Sequence, residues 1–282
     1  MKKTTLLLAI CAVMALASTT MHAQDRFLAY TAQSNVLPKG TRAMEIWYAN
    51  KNGGQVYFNG NYMRTGFKMG FGKNIIAGYY LNFESEAYVG NGIDPLDKKT
   101  RLYDAAITDK SNFSFTAYGK IKLLDPVANP VGLAIETELT IGASERIFAP
   151  KLIIDKRFGN NYVSFNTWVA FHRERVLETT KIDPNNKNAP TVTDFKEPQY
   201  EFDLAYLRFL KSNNIGVGFE MRTHSESTEA AGLEHIVLFG GPAVHFRGDK
   251  WFLNLSAMPQ WGNLYTSWIA PDKTVLDEHQ KF

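Results

Sequence analysis

The residues with the clearest chemical potential form one short stretch, Thr223-His224-Ser225-Glu226-Ser227, in which a histidine adjoins serines and a glutamate. Ester hydrolysis by a serine needs a histidine that accepts the serine proton and an asparagine or aspartate that orients the histidine. The stretch falls at the mouth of a predicted loop and contains no obvious orienting partner. A solvated loop is therefore the favoured interpretation, and a lipid hydrolase that uses His224 and Ser225 stays open as an alternative.

The other residues that could bind metals do not form a metal-binding motif. Four histidines lie on separate predicted elements, namely His172, His235, His245 and His279. Four aspartates share one predicted loop, namely Asp94, Asp97, Asp104 and Asp109. These aspartates lack the regular spacing of a calcium-binding loop, and no HExxH sequence is present. The sequence therefore predicts no catalytic residue, no metal site and no cofactor, as expected of a non-enzymatic protein.

The elements that position these residues are predicted to be strands, because apolar and polar residues alternate along most of the chain. Between Asn74 and Glu84, the odd-numbered positions are occupied by Ile75, Ala77, Tyr79, Leu81 and Phe83. The even-numbered positions end in Asn82 and Glu84. The same alternation recurs in 162–174 and 214–224. A period of two residues over ten or more positions indicates β-structure.

Extending this pattern along the chain predicts about eleven strands. Their expected positions are 42–50, 55–71, 74–86, 112–123, 131–141, 145–157, 161–174, 199–211, 214–224, 235–247 and 250–260. Many of them reach the roughly nine to eleven residues that a tilted strand needs to cross a bilayer.

Loop lengths give a second indication of the fold. Every second connection is short, such as 72–73, 158–160 and 212–213. The alternate connections include the long ones, which are 87–111, 175–198, 225–234 and 261–275. Short turns on one side and long loops on the other are typical of outer-membrane barrels.

If the apolar parity faces lipid, the other parity lines the interior of a barrel. The predicted interior residues are Arg64, Lys68, Glu84, Lys120, Lys122, Glu136, Glu138, Lys151, Asp155, His172, Glu174, Glu220 and Arg222. A charge near the bilayer midplane costs a few kcal/mol, so the alternation directs these side chains inward. A network of ion pairs that fills a narrow lumen is the favoured interpretation, and a selective transport path is the alternative.

The N-terminus has the composition of an export signal. Lys2 and Lys3 precede the apolar run Leu6–Leu16, and Met21-His22-Ala23 supplies a small-residue cleavage pattern, so we expect cleavage before Gln24. Removal of this segment takes away the only cysteine, Cys11, which excludes disulfides and cysteine-based metal sites. It also leaves 29 basic residues against 28 acidic ones, and this near-neutral balance gives no electrostatic case for a nucleic-acid partner.

From Leu37-Pro38-Lys39-Gly40 onward the sequence resembles an uncharacterised family of predicted outer-membrane β-barrels of Gram-negative bacteria. The resemblance is carried by Glu45-x-Trp47, by Arg64–Gly70, and by Leu123-Leu124-Asp125-Pro126-Val127, which is its most specific part. It continues through Asn129–Leu133, Lys151–Ile154, Gly240-Gly241-Pro242, Met258-Pro259-Gln260 and Leu276–His279. It implies a fold and a location but no activity. In such proteins the segment like Leu276–His279 leads into a last strand, whereas this sequence stops at Phe282.

Together these observations predict an all-β, antiparallel up-and-down transmembrane β-barrel of about twelve strands with the last one incomplete. We expect a signal peptide at 1–23, an N-terminal periplasmic segment at 24–41 and the barrel at 42–282. The expected location is the cell outer membrane, with membrane lipid and the barrel-assembly machinery as partners. The expected function is a narrow passive pore for small solutes or a structural barrel. The alternatives are a barrel-type lipid hydrolase and a soluble periplasmic β-protein that binds a small ligand.

Overall fold

The alternating segments form strands along nearly all of the chain that the computed structural model describes, which is residues 26–52, 58–89, 107–183, 186–210, 214–228 and 232–266. The strands are β1 (Arg42–Asn52), β2 (Phe58–Gly70), β3 (Ile75–Val89), β4 (Ile107–Leu124), β5 (Gly132–Gly142), β6 (Glu145–Phe158), β7 (Asn161–Asp183), β8 (Asn186–Phe209), β9 (Ile215–Thr228), β10 (Gly232–Arg247), β11 (Phe252–Ser256) and β12 (Gln260–Thr266). Within these ranges, no helix is long and apolar enough to cross a membrane.

The strands follow one another in the sheet in the order in which they occur in the chain. Each strand from β1 to β11 pairs antiparallel with the next, and β12 also pairs with β10. The sheet curls into a half-barrel. The predicted all-β, antiparallel up-and-down architecture with about twelve strands is therefore confirmed.

The last two strands lie end to end along the same edge of β10. Ala243–Arg247 pair with β11, and His235–Phe239 pair with β12. The interruption lies at 257–259, where Pro259 has no N–H to donate to a strand ladder. The prediction of a strand at 250–260 followed by a loop was thus wrong at its end, because strand pairing resumes after the proline and continues to Thr266. The incomplete last strand expected near 276–282 lies outside the described residues.

The longest hairpin was predicted too short. The sequence analysis ended one strand at 174 and began the next at 199, whereas β7 extends to Asp183 and β8 begins at Asn186. The connecting residues are polar, but they include β-branched residues that favour strands, and Val176 pairs with Thr193. The strands β3, β4, β9 and β10 likewise extend into the predicted loops 87–111 and 225–234.

The two faces of the sheet differ sharply in chemistry. Large apolar side chains on the convex face are exposed, including Tyr79, Leu81 and Phe83 of β3, Phe113 and Phe115 of β4, Ile135 and Leu139 of β5, and Phe202 and Leu204 of β8. Charged residues such as Lys68, Lys120, Glu136 and Glu220 are buried on the concave face. Charged residues are almost never fully buried unless they are paired, and these have ion-pair or hydrogen-bond partners.

Residues 26–38, which we call the plug, lie against the concave face. The sequence analysis placed them ahead of the barrel, within the periplasmic segment 24–41. In the structure, Phe27 and Leu28 pack against Tyr162, Leu207 and Phe209. Farther along the plug, Leu37 packs against Ile76 and Tyr80. Just beyond the plug, the Gly40 N–H donates to the Gly70 carbonyl at 2.8 Å. These contacts place the plug near the end of the sheet that carries the short turns.

The strands at the two ends of the sheet, β1 and β11, are not paired with each other in the described part of the chain. A groove of about 530 Å³ lies between them, lined by Ile46, Tyr48, Val244, Leu253 and Leu255 among others. The plug bridges it on the concave side. Tyr30 contacts the Trp47 ring of β1 at a centroid distance of 5.6 Å, and the Asn254 side chain of β11 donates to the Leu28 carbonyl at 3.2 Å.

Candidate functional site

A chamber with a volume of about 290 Å³ lies above the plug. Its floor includes Ala29, Tyr30, Ala32 and Gln33 of the plug. Its walls are the concave faces of strands from both halves of the sheet, which contribute aromatic residues (Trp47, Tyr62, Tyr80, Tyr118, Trp168) and charged ones. A second cavity of about 220 Å³ adjoins it and shares Tyr62, Arg64, Glu138, Trp168 and Gln199. Together they form a polar space that the plug closes on one side.

The structure places most of the predicted interior residues around these two cavities. Those that line them are Arg64, Lys68, Glu84, Lys120, Glu136, Glu138, Lys151 and Arg222. Alternation along each strand explains this, because residues two positions apart share a face. These side chains are not isolated charges, because ion pairs join them to residues of other strands.

The ion pairs form ladders that follow the strand register. On β4, β5 and β6, Lys120 lies opposite Glu136, and Glu136 lies opposite Lys151. The Glu136 carboxylate is 3.7 Å from the Lys120 Nζ and 3.3 Å from the Lys151 Nζ. Arg64 of β2 contacts Glu138 of β5 at 2.7 Å, although these two strands are not neighbours in the sheet. Opposite charges placed directly across a ladder favour that register, so the pairs of Glu136 with Lys120 and Lys151 help to fix the shape of the chamber.

The remaining predicted interior residues lie outside the chamber lining. Lys122 contacts Asp125 in the short turn after β4 at 2.9 Å. Asp155 and Glu220 are buried beneath the plug. His172 lies 3.8 Å from Glu145 and 4.0 Å from Glu197, and Glu174 pairs across the ladder with Glu145.

Three buried side chains hold the backbone of the plug. The Glu220 carboxylate accepts hydrogen bonds from the N–H groups of Ala29, Tyr30 and Thr31, at 2.9, 2.9 and 2.8 Å. The Asn166 carbonyl oxygen accepts from the Ala32 N–H at 2.6 Å, and the Asp155 carboxylate accepts from the Ser34 N–H at 2.6 Å. Buried backbone N–H groups need such partners, because an unpaired one is costly. The plug is therefore bound to the sheet through side chains of β6, β7 and β9.

The sequence analysis missed several contributors to this region. Arg26 of the plug contacts Glu45 at 3.3 Å, and Glu45 also contacts Lys68 at 2.6 Å. Gln199, Glu201 and Asp203 of β8 line the chamber as well. These three residues of β8 are two positions apart, so the alternation in the sequence could have assigned them to the interior face. No periodic pattern in residues 26–38 marked the plug, because its backbone is held by side chains from distant strands.

The stretch Thr223–Ser227 does not form a serine–histidine pair. Adjacent residues of a strand point to opposite faces. His224 accordingly lines the chamber, whereas the Ser225 hydroxyl donates to the Tyr200 carbonyl at 2.8 Å. The geometry that the hydrolase alternative requires at these two residues is therefore absent.

The same stretch contributes instead to a group that the sequence analysis did not predict. His224 and Glu226 of β9 and His235 of β10 are all buried, and one ligand atom from each lies within 4.8 Å of the others. The sequence predicted no metal site, because His235 lies on a separate element from the other two. Strand pairing brings the three residues together, and we call them the histidine cluster. Of the four aspartates considered for calcium, Asp109 is exposed on β4 and the other three lie outside the described residues.

Comparison with known proteins places the chain in a family. No curated protein matches the sequence. One family model, described as a family of unknown function (DUF6662), matches residues 20–281, which is nearly the whole chain. The chain therefore belongs to the DUF6662 family.

Proposed function

We propose that the protein is a non-enzymatic β-barrel of the bacterial outer membrane, and that its own N-terminal segment keeps the interior closed. In this proposal it is a structural barrel, not an open passive pore. Its partners are membrane lipid and the machinery that inserts barrels. The export signal expected at residues 1–23 agrees with this location.

The observation that carries the membrane assignment is the inversion of the two faces. Side chains such as Phe113, Phe202 and Leu255 are more than half exposed on the convex face. Full transfer of such a side chain out of water is worth roughly 1.5–3 kcal/mol, so the convex face favours a hydrocarbon environment. Charged residues on that face, such as Arg146 and Arg208, lie towards strand ends, away from the bilayer midplane where each would cost roughly 2–4 kcal/mol. A soluble periplasmic protein would have to cover this surface with another protein.

The plug supports a closed barrel. Its backbone fills the concave side at the short-turn end, and buried Glu220 binds three successive N–H groups there. Hydrogen bonds to a charged group are worth roughly 1.5–3 kcal/mol each. Spontaneous release of the plug would break these bonds and those to Asn166 and Asp155 together. A solute would therefore meet a closed floor beneath the chamber.

Planar-bilayer recording of the refolded mature chain tests the closed state. We expect no steady conductance from the wild type. In Glu220→Gln, one carboxylate oxygen becomes an NH₂ group that faces N–H donors, so the plug should be weakened by about 2 kcal/mol, or roughly thirtyfold in its release equilibrium. Open events should become more frequent by a similar factor. Glu138→Gln serves as the matched control. It also removes an interior carboxylate, but that carboxylate binds Arg64 and not the backbone of the plug.

Two results would count against the proposal. Steady conductance of the wild type would favour the passive pore that the sequence analysis also allowed. Equal opening of the Glu220→Gln and Glu138→Gln variants would mean that loss of interior charge, and not release of the plug, opens the lumen.

A further inference from the structure

The strand register explains how the histidine cluster assembles. His224 and Glu226 are two positions apart on β9, so both face the interior. His235 lies directly opposite Glu226 on β10. A register shift between Leu233 and His235 leaves one extra residue in β10 beside the cluster. Such bulges redirect side chains. Here the extra residue shifts the alternation along β10, so that His235 lies on the same face of the sheet as His224 and Glu226 of β9.

The distances between the three side chains suit a shared ion. The His224 Nε2 lies 2.7 Å from the Glu226 Oε1, and the His235 Nε2 lies 3.8 Å from the Glu226 Oε2. Two ligands at the usual zinc distance of about 2.0–2.2 Å stand roughly 3.3 Å apart in a tetrahedron. The two separations involve different oxygens of the Glu226 carboxylate and fall on either side of that value. One ligand atom from each of the three residues lies within 4.8 Å of the others, so side-chain rotation can bring them around one centre.

The surroundings of the cluster resemble those of protein metal sites. The Glu201 carboxylate of β8 lies 4.0 Å from the His224 Nδ1, which is the ring nitrogen on the far side from Glu226. This distance is too long for a hydrogen bond, but the carboxylate lies on the side from which outer-shell carboxylates orient metal-binding imidazoles. Gln199 donates to the Glu226 Oε1 at 3.3 Å, and Arg222 forms an ion pair with Glu201. The three residues of the cluster are buried, with whole-residue exposures of 7% for His224, 9% for Glu226 and 8% for His235.

We propose that His224, Glu226 and His235 bind one divalent transition-metal ion of the zinc class. Two imidazoles and one carboxylate form the donor set of many zinc sites with an open fourth position. Hard ions such as calcium and magnesium prefer oxygen ligands, so the two histidines select against them. Because His224 lines the chamber, the fourth position would face the interior of the barrel. This inference does not depend on whether the barrel is closed or conducting.

Titration of the refolded mature chain with Co²⁺, followed by its visible d–d absorption, tests the site. We expect one Co²⁺ per chain, displaced by one equivalent of Zn²⁺. His224→Gln and His235→Gln should each weaken binding by at least the roughly 10–100-fold that the loss of an outer-shell partner costs. His172→Gln is the matched control, because His172 also lies among carboxylates on the interior face but is not one of the three proposed ligands and reaches the cluster only through Glu197, which is hydrogen-bonded to Glu226. It should leave the binding constant within about twofold.

X-ray absorption of the Zn²⁺-loaded wild type provides a test that needs no variant. The spectrum should show two imidazoles and additional oxygen ligands at about 2.0–2.2 Å. The proposal would be overturned by a zinc shell without imidazole, by less than one ion bound per wild-type chain, or by tight binding that survives in both cluster variants. Equal loss in His172→Gln would also overturn it, because binding would then not be specific to the cluster.

Discussion

Asp125 shows how a single partly exposed residue can define a turn. It follows β4 and lies in the segment that carries the most specific family resemblance. Its carboxylate accepts hydrogen bonds from the N–H groups of Val127 and Ala128, at 3.0 and 3.2 Å, and from the Lys122 Nζ at 2.9 Å. The hydrogen bonds from Lys122 and from the two backbone groups hold the pKa of Asp125 below its usual value of 3.8. Folding therefore favours the ionised carboxylate.

This lowered pKa predicts a pH-dependent effect of Asp125→Asn. The stabilisation by the ionised group is complete above about pH 4 and is lost as the pH falls through the lowered folded-state pKa. At pH 7 the variant should unfold in urea with a free energy about 0.5–1 kcal/mol lower than the wild type, because the side chain is partly exposed. The difference should shrink below pH 4. A difference that persists unchanged at pH 2.5 would show that the charge is not its origin.

At the residue scale, the sequence predicted the inward charges through their parity but could not predict their partners. Alternation identifies a face, whereas pairing depends on register, as between Lys120 and Glu136. Glu220 had no visible partner in the sequence, because it binds backbone groups of a segment about 190 positions away. The histidine cluster was missed for the same reason, since it depends on strand pairing and on a bulge that no motif marks.

At the element scale, close approaches between strands depend on glycine. A Cβ added at Gly218 of β9 would overlap the Tyr206 carbonyl oxygen of β8, and one at Gly78 of β3 would overlap the Phe67 carbonyl oxygen of β2. Backbone atoms cannot move aside as a flexible side chain can. At Gly119 of β4, by contrast, the nearest heavy atom would be the Thr137 Cγ2 at 3.9 Å.

We therefore expect Gly218→Ala to destabilise the folded sheet by about 1–3 kcal/mol, the usual cost of overpacking. Gly119→Ala is the matched control and should change stability little, because it meets only ordinary van der Waals contact. Urea unfolding of both variants in lipid vesicles measures the difference. Equal midpoints for the two variants would contradict the close approach of β8 and β9 at this position.

Strand existence was predictable from the sequence, but strand ends were not. Alternation located β1 to β10 because their convex and concave faces differ in chemistry along many residues. It failed at the far ends of β7 and β8, where polar and β-branched residues continue the strands but apolar and polar positions no longer alternate. It also failed after Pro259, because the pairing with β10 resumes at Gln260 and continues to Thr266. The plug carries no alternation at all, since it is not a strand.

On the scale of the whole molecule, the sheet separates two environments. The convex face presents apolar side chains, and the concave face encloses ion pairs, the plug and the histidine cluster. The ends of the sheet, β1 and β11, leave a groove that the plug spans from within. An open edge in lipid would leave backbone groups unsatisfied, so a membrane-inserted chain requires this groove to be covered. The plug accordingly has two roles in this account, as the floor of the chamber and as the bridge between the two edges.

Flotation of the refolded mature chain with phospholipid vesicles, after complete removal of detergent, tests the central claim most directly. The account predicts that the protein floats with the vesicles and stays with them in alkaline carbonate and in urea below its unfolding midpoint. Its gel mobility should also differ between heated and unheated samples. Recovery of the protein as a monodisperse species in the aqueous fraction, without lipid or detergent, would contradict the account, because its apolar convex face would then have to be covered by protein.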